Sequence, residues 1–174
     1  MGKRLSRGIA ALFAAACAAP VHAQEAAPTC AASVAPEGAL APWATPIDLR
    51  AASSAAGLAS ATLAIGQAAR VQLRPTPEVH YTIQPEKPGG SVSHGGLIGL
   101  VVAQAGTYRL ALGTPAWVDV VGEGGAVASQ AHGHGPACTT IRKLVDFALQ
   151  PGRYVVQISA NGAPQTAVLI VRLP

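Results

Sequence analysis

The sequence predicts an all-β fold: an antiparallel β-sandwich of the jelly-roll or related type, built as a single domain with one disulfide. Three observations carry this expectation. Short runs alternate polar and apolar residues with a period of two, which suits half-buried strands. Gly, Pro and Asn clusters separate those runs at short intervals, leaving little room for helices. Half of the residues are hydrophobic, yet aromatics make up only 4 %, so the core must be filled by small aliphatic side chains.

The chain opens MGKRLSRGIAALFAAACAAPVHAQE. A basic head (Lys3, Arg4, Arg7), an apolar run and Val21-His22-Ala23 before Gln24 give the layout of a signal peptide over residues 1–23. The expected location is therefore periplasmic or secreted. The apolar run is about half the ~20 residues a bilayer span needs, so no transmembrane segment is expected once the leader is cleaved. A lipid anchor on Cys17 is the alternative, although Ala14 stands where a large aliphatic residue is normally required. Three of the twelve basic residues lie in the leader, which leaves nine against eight acids. With that balance and no basic stripe, nucleic acid is not an expected partner. Cleavage also removes one of the three cysteines, and in an oxidising compartment the remaining Cys30 and Cys138 pair as a disulfide.

Residues 24–43 are rich in Ala and Pro without a period, and are read as an extended N-terminal segment leading into a sandwich domain over 44–174. RAASSAAGLASA (50–61) fits a single turn or an irregular strand. In Ala69–Arg74, Val71 and Leu73 share one face, and Pro75 and Pro77 end the run. Val79–Ile83 reads as a short strand, followed by a long loop over 84–96 and a strand over Leu97–Val102. Tyr108, Leu110 and Leu112 face one way in the next strand. Trp117–Val121, a turn at 122–125 and Ala126–Ser129 follow. IRKLVDFAL fits either a helix or a strand, and its flanking turns favour the strand. Tyr154–Ile158 and Val168–Leu173 close the domain.

The last 70 or so residues carry an acidic alternating strand (Trp117 to Val121) and a small-residue strand (Val127 to Ser129). A Leu-x-Pro-Gly-x-Tyr corner (Leu149, Pro151, Gly152, Tyr154) and a final aliphatic strand follow. In this pattern the segment resembles the pre-peptidase C-terminal β-sandwich modules that follow secreted bacterial peptidases, which implies a non-catalytic module. The whole chain, through RPTPEV, PEKPGGSVS, AHGHGPAC and LxPGRY, also resembles small exported alphaproteobacterial proteins carrying the name homogentisate 1,2-dioxygenase. That name implies an iron held by two histidines and a carboxylate; here no acidic residue follows His134 until Asp146.

The metal reading rests on His132 and His134, with His94 and His80 as further imidazoles for copper, zinc or iron. The glycines around the pair favour a loop, which does not enforce a shared face. Asp119, between valines, is read as an outward polar position or a partner for Arg142 or Lys143, with a calcium-binding or catalytic carboxylate as the alternative. Trp43 and Trp117 are read as packing residues, with a sugar-stacking platform as the alternative. The 84–96 loop offers Glu86, Lys87, Ser91, Ser93 and His94, but it lacks the strained Gly-x-Ser-x-Gly turn of a serine nucleophile, and no catalytic residue is assigned. The expected function is a non-catalytic periplasmic binding or envelope-associated module with an unidentified ligand or envelope component as partner. The alternative is a histidine-ligated metalloprotein, a metal-dependent oxygenase if the dioxygenase resemblance holds.

Overall fold

Eleven strands succeed one another in the computed structural model, which describes residues 29–174 together with Gly2. The expected leader, Gly2 apart, lies outside the described residues, and Cys17 with it. In chain order the strands are β1 (Ile47–Arg50), β2 (Ala68–Gln72), β3 (Arg74–Pro75), β4 (His94–Val102), β5 (Gly106–Leu112) and β6 (Trp117–Gly122). They continue with β7 (Gly125–Val127), β8 (Ser129–Gly133), β9 (Lys143–Leu149), β10 (Gly152–Asn161) and β11 (Gln165–Arg172). One sheet has the order β1-β2-β11-β5-β9-β8, the other β3-β4-β10-β6-β7. Every pairing between these strands is antiparallel except β1 with β2.

The period-two residues meet between the sheets. Val71, Tyr108, Leu110, Leu112 and Val145 from one sheet pack on Ile98, Leu100, Val118, Val156 and Ile158 from the other. Each such aliphatic side chain, fully buried, contributes about 1.5–3 kcal/mol. IRKLVDFAL is a strand from Lys143 onward, with Val145, Phe147 and Leu149 turned inward. At the Leu-x-Pro-Gly-x-Tyr corner the Tyr154 hydroxyl donates to the Gln150 carbonyl at 2.9 Å and accepts the Gln150 N–H at 3.1 Å.

Neither outer face is left bare. Two 3₁₀ turns at Gly38–Ala44 lay Leu40 and Trp43 over Ala111, Leu169 and Val171, which is why β11 is apolar on both faces. The segment expected to run extended to residue 43 therefore coils over its last third. Trp43 packs as expected, its indole N–H donating to Thr140 Oγ1 at 2.8 Å. The Cys30–Cys138 disulfide forms, and the Val34 N–H donates to the Cys138 carbonyl at 2.8 Å, so the N-terminal layer is tied to the loop before β9. On the other sheet, Ala52, Leu58, Ala61 and Tyr81 cover Leu97.

Three expectations are corrected. Val79–Ile83 is not a strand: the backbone N–H groups of Thr82 and Ile83 donate to the Gln157 side chain instead of to a ladder. Ala126–Ser129 is not one strand either. The chain leaves the five-stranded sheet after Val127 and joins the six-stranded sheet at Ser129. The third correction concerns His132, which lies within β8 rather than in a loop, because β9 supplies an edge for it to pair with.

Candidate functional site

In β6, Val118 and Val120 enter the core, so Trp117 and Asp119 must face outward, opposite Ser159 and Gln157 of β10. On a solvated sheet these polar side chains would be wet. Here Gln157 and Ser159 are fully buried beneath the segment 79–93. Gln157 Oε1 accepts the Thr82 N–H at 2.6 Å and the Ile83 N–H at 3.1 Å, and its Nε2 donates to the Ile83 carbonyl at 3.2 Å. The Ser159 hydroxyl donates to the Lys87 carbonyl at 2.8 Å, and the Tyr81 hydroxyl donates to the Ile158 carbonyl at 3.2 Å. The Tyr81 hydroxyl occupies the space a side chain at position 95 would need, which is why glycine stands there. The loop is thus a strap bolted to the sheet by side chains of β10.

The strap delivers Lys87 to Trp117, with the ammonium 5.1 Å from the indole centroid. Lys143, at the start of β9, brings a second ammonium to 5.4 Å from the same ring and donates to the Ala116 carbonyl at 2.9 Å. The Trp117 indole N–H donates to Asp119 Oδ1 at 3.0 Å. Asp119 Oδ2 is buried and takes no hydrogen bond among the described residues. Burial raises the Asp119 carboxyl above its ordinary pKa, and Glu86 adds to this; the Trp117 N–H, the Lys143 charge and the nearby Gln157 amide act against it. Burial lowers the Lys143 ammonium, the neighbouring Lys87 lowers it further, and Asp119 works the other way. Asp119 is not the cross-strand partner of a basic residue: Gln157 stands opposite it, and Lys143 belongs to the other sheet.

These groups rim a cleft of about 590 Å³ at the edge of the sandwich, where the chain crosses from β7 to β8. Val127, Val145 and Phe147 supply its apolar wall. His132 lies opposite Val145 and therefore faces the cleft. His134 stands just past β8, its Nδ1 3.4 Å from the Arg142 carbonyl, and shares with His132, Arg142 and Lys143 an adjoining depression of about 230 Å³.

The other expected imidazoles lie elsewhere. His94 begins β4 in the opposite sheet, its Nδ1 buried without a hydrogen bond among the described residues. His80 is exposed, its backbone N–H bonded to the Ser53 carbonyl at 2.7 Å. The four histidines proposed as ligands are not brought together, and among the described residues no group of three or more His, Cys, Asp or Glu is placed to hold a metal. Asp146, the first acid after the pair, forms two hydrogen bonds of 2.7 Å with Arg109. With Arg109, His132 and His134 it lines a depression of about 200 Å³. Ser93 donates to the Gly90 carbonyl at 2.6 Å and bonds the Thr76 hydroxyl at 2.8 Å.

No family model and no curated protein sequence matches the chain. Among solved structures it is similar to the pre-peptidase C-terminal domain of a collagenase from Bacillus anthracis. Identity is 11 %, coverage is 72 % of this chain and 95 % of that one, and the TM-score is 0.39. The dioxygenase resemblance gains no support from these comparisons.

The sequence names most of the cleft's residues without showing that they meet. Glu86 and Lys87 lie about 30 positions before Trp117, and Lys143 about 25 after it. Only the oddity of Asp119 in an apolar strand signals the place.

Proposed function

We propose that this chain is exported and serves as a non-catalytic β-sandwich module of the periplasm or envelope, binding its ligand in the cleft of Trp117, Asp119, Lys87 and Lys143. The observation that carries this reading is Asp119 Oδ2, a buried acceptor left without a donor in a recess of ligand size. Buried polar atoms are ordinarily satisfied, so an unmatched acceptor on a residue that lines a cleft supports a polar ligand there. The leader pattern and the Cys30–Cys138 bond support export, and the pattern shared with pre-peptidase C-terminal modules supports a role without catalysis.

The test is a screen of small polar compounds against the mature protein, followed through the indole N–H resonances of Trp117 and Trp43. Compounds that bind are expected to move Trp117 and leave Trp43 unchanged. Binders that leave Trp117 unmoved would overturn the assignment. The metal alternative keeps two observations, the depressions that His132 and His134 share with Arg142 and with Asp146. Stoichiometric copper, zinc or iron in untagged protein, lost in His132→Ala with His134→Ala, would put that reading first.

A further inference from the structure

We infer that the ligand of the cleft is an anionic carbohydrate, with a uronate ring as the unit recognised. This deepens the binding reading above and rests on it. The chemistry follows from what each rim group lacks. Lys87 and Lys143 converge on one indole, yet neither belongs to either ion pair found among the described residues, Arg70–Asp48 and Arg109–Asp146. Asp119 and Glu86 share the cleft with these two ammonium groups but form no ion pair with either, so both cations are free to take an anion supplied from outside. Arg142 adds a further positive charge in the adjoining depression.

A bare anion would leave the rest of the site unused. Asp119 Oδ2 needs a donor, and a hydroxyl adjacent to a carboxylate-bearing carbon provides one at short range. Trp117, half-buried, and Val127 line the recess and give the C–H face of a pyranose an apolar surface to meet beside the two ammonium groups over the indole. A recess of about 590 Å³ is in the range of small-ligand pockets, and its place at the sandwich edge lets a polymer continue past the recognised ring. Charge, hydroxyl and ring face occur together in a uronate. A neutral sugar would leave both ammonium groups unpaired, and an acidic peptide would bring carboxylates without the ring.

The experiment titrates the mature, oxidised protein with trigalacturonate, with its methyl ester and with polyglutamate, read by tryptophan fluorescence and calorimetry. Trigalacturonate is expected to bind saturably and to change a fluorescence signal that disappears in Trp117→Phe. The ester, which keeps the rings and removes the charge, should bind at least tenfold more weakly. Polyglutamate should not compete. Lys87→Gln, an exposed strap position, should weaken trigalacturonate at least threefold. Adding Lys143→Gln should take the loss beyond tenfold, with melting temperature measured alongside. Equal binding of acid and ester, effective competition by polyglutamate, an unaffected Lys87→Gln, or no saturable binding of trigalacturonate would each overturn the inference. If other compounds still move the Trp117 resonance, only the ligand class is wrong; if none does, the cleft reading falls as well.

Discussion

At Asp119 the fold keeps a carboxylate in a place that weakens it. One oxygen has the Trp117 N–H, the other is buried without a donor, and burial holds the group's pKa above the ordinary carboxyl value. The consequence for stability has a definite sign. Below the unfolded value, near pH 4, both states carry the proton and the site costs nothing. As pH rises from there to the raised folded value, the unfolded chain has lost its proton while the folded chain retains it, so stability falls. Above the folded value the full cost is present. Glu86, Lys87, Lys143 and the Tyr81 phenol surround the group and set where the window ends. Asp119→Asn should therefore stabilise the protein at pH 7, read as a higher melting temperature than that of the parent. The gain should vanish below about pH 4. Thermal melts of both proteins between pH 3 and 8 check this, and a destabilised Asn variant at neutral pH would contradict the account. The same variant should bind a hydroxyl-bearing ligand less well, since Asn presents a donor where an acceptor is wanted.

Among the elements, those with an apolar face were legible and those without were not. Tyr108–Leu112 and Val145–Leu149 declare themselves by alternation, because each has a core to face. Ser129–Gly133 is exposed at every position, so no periodic signal could mark it; β9 alone makes it a strand. Val79–Ile83 misleads in the opposite sense. Its alternating side chains suit a strand, but the amide of Gln157, distant in sequence, captures its backbone before a neighbouring strand can. That capture also builds the site, since it holds the strap that carries Glu86 and Lys87. Gln157→Leu removes all three strap bonds while filling a similar volume. Stability should drop by about 2–3 kcal/mol as two backbone donors and one acceptor lose their partner. Limited proteolysis should then cut within residues 79–93, and the Trp117 fluorescence should lose its Lys87 neighbour. A strap that stays protease-resistant in this variant would mean that its other anchors, Tyr81 and Ser159, suffice.

The molecule is two sheets wrapped by irregular layers, and the Cys30–Cys138 disulfide ties only the outermost of these. The pairing of Cys30 with Cys138 was legible from the cysteine count and the export that the leader pattern leads one to expect. That residues 38–44 would coil over the outer face of the six-stranded sheet was not, because an Ala- and Pro-rich segment shows no period until a tertiary surface selects Leu40 and Trp43 from it. The sandwich core lies between the sheets and contains neither cysteine. This arrangement separates two roles the disulfide can play. Closing a loop of 108 residues gives about 4–5 kcal/mol in the chain-entropy treatment. If the bond acts only through the unfolded state, its loss should lower global stability without changing the native surface. The geometry adds a local role: the bond, the Val34–Cys138 backbone contact and the Trp43–Thr140 bond together pin the N-terminal layer. Cys30→Ser with Cys138→Ser should accordingly retain its β-sheet circular dichroism at 25 °C, with stability lower by about 2–4 kcal/mol. Amide exchange should quicken around Leu40 and Trp43 before it does in β10. Trp43 emission should shift to longer wavelength, while Trp117, held by the strap on the opposite sheet, keeps its environment and its ligand. Loss of both tryptophan signals together would show instead that the layer and the sandwich fold as one unit.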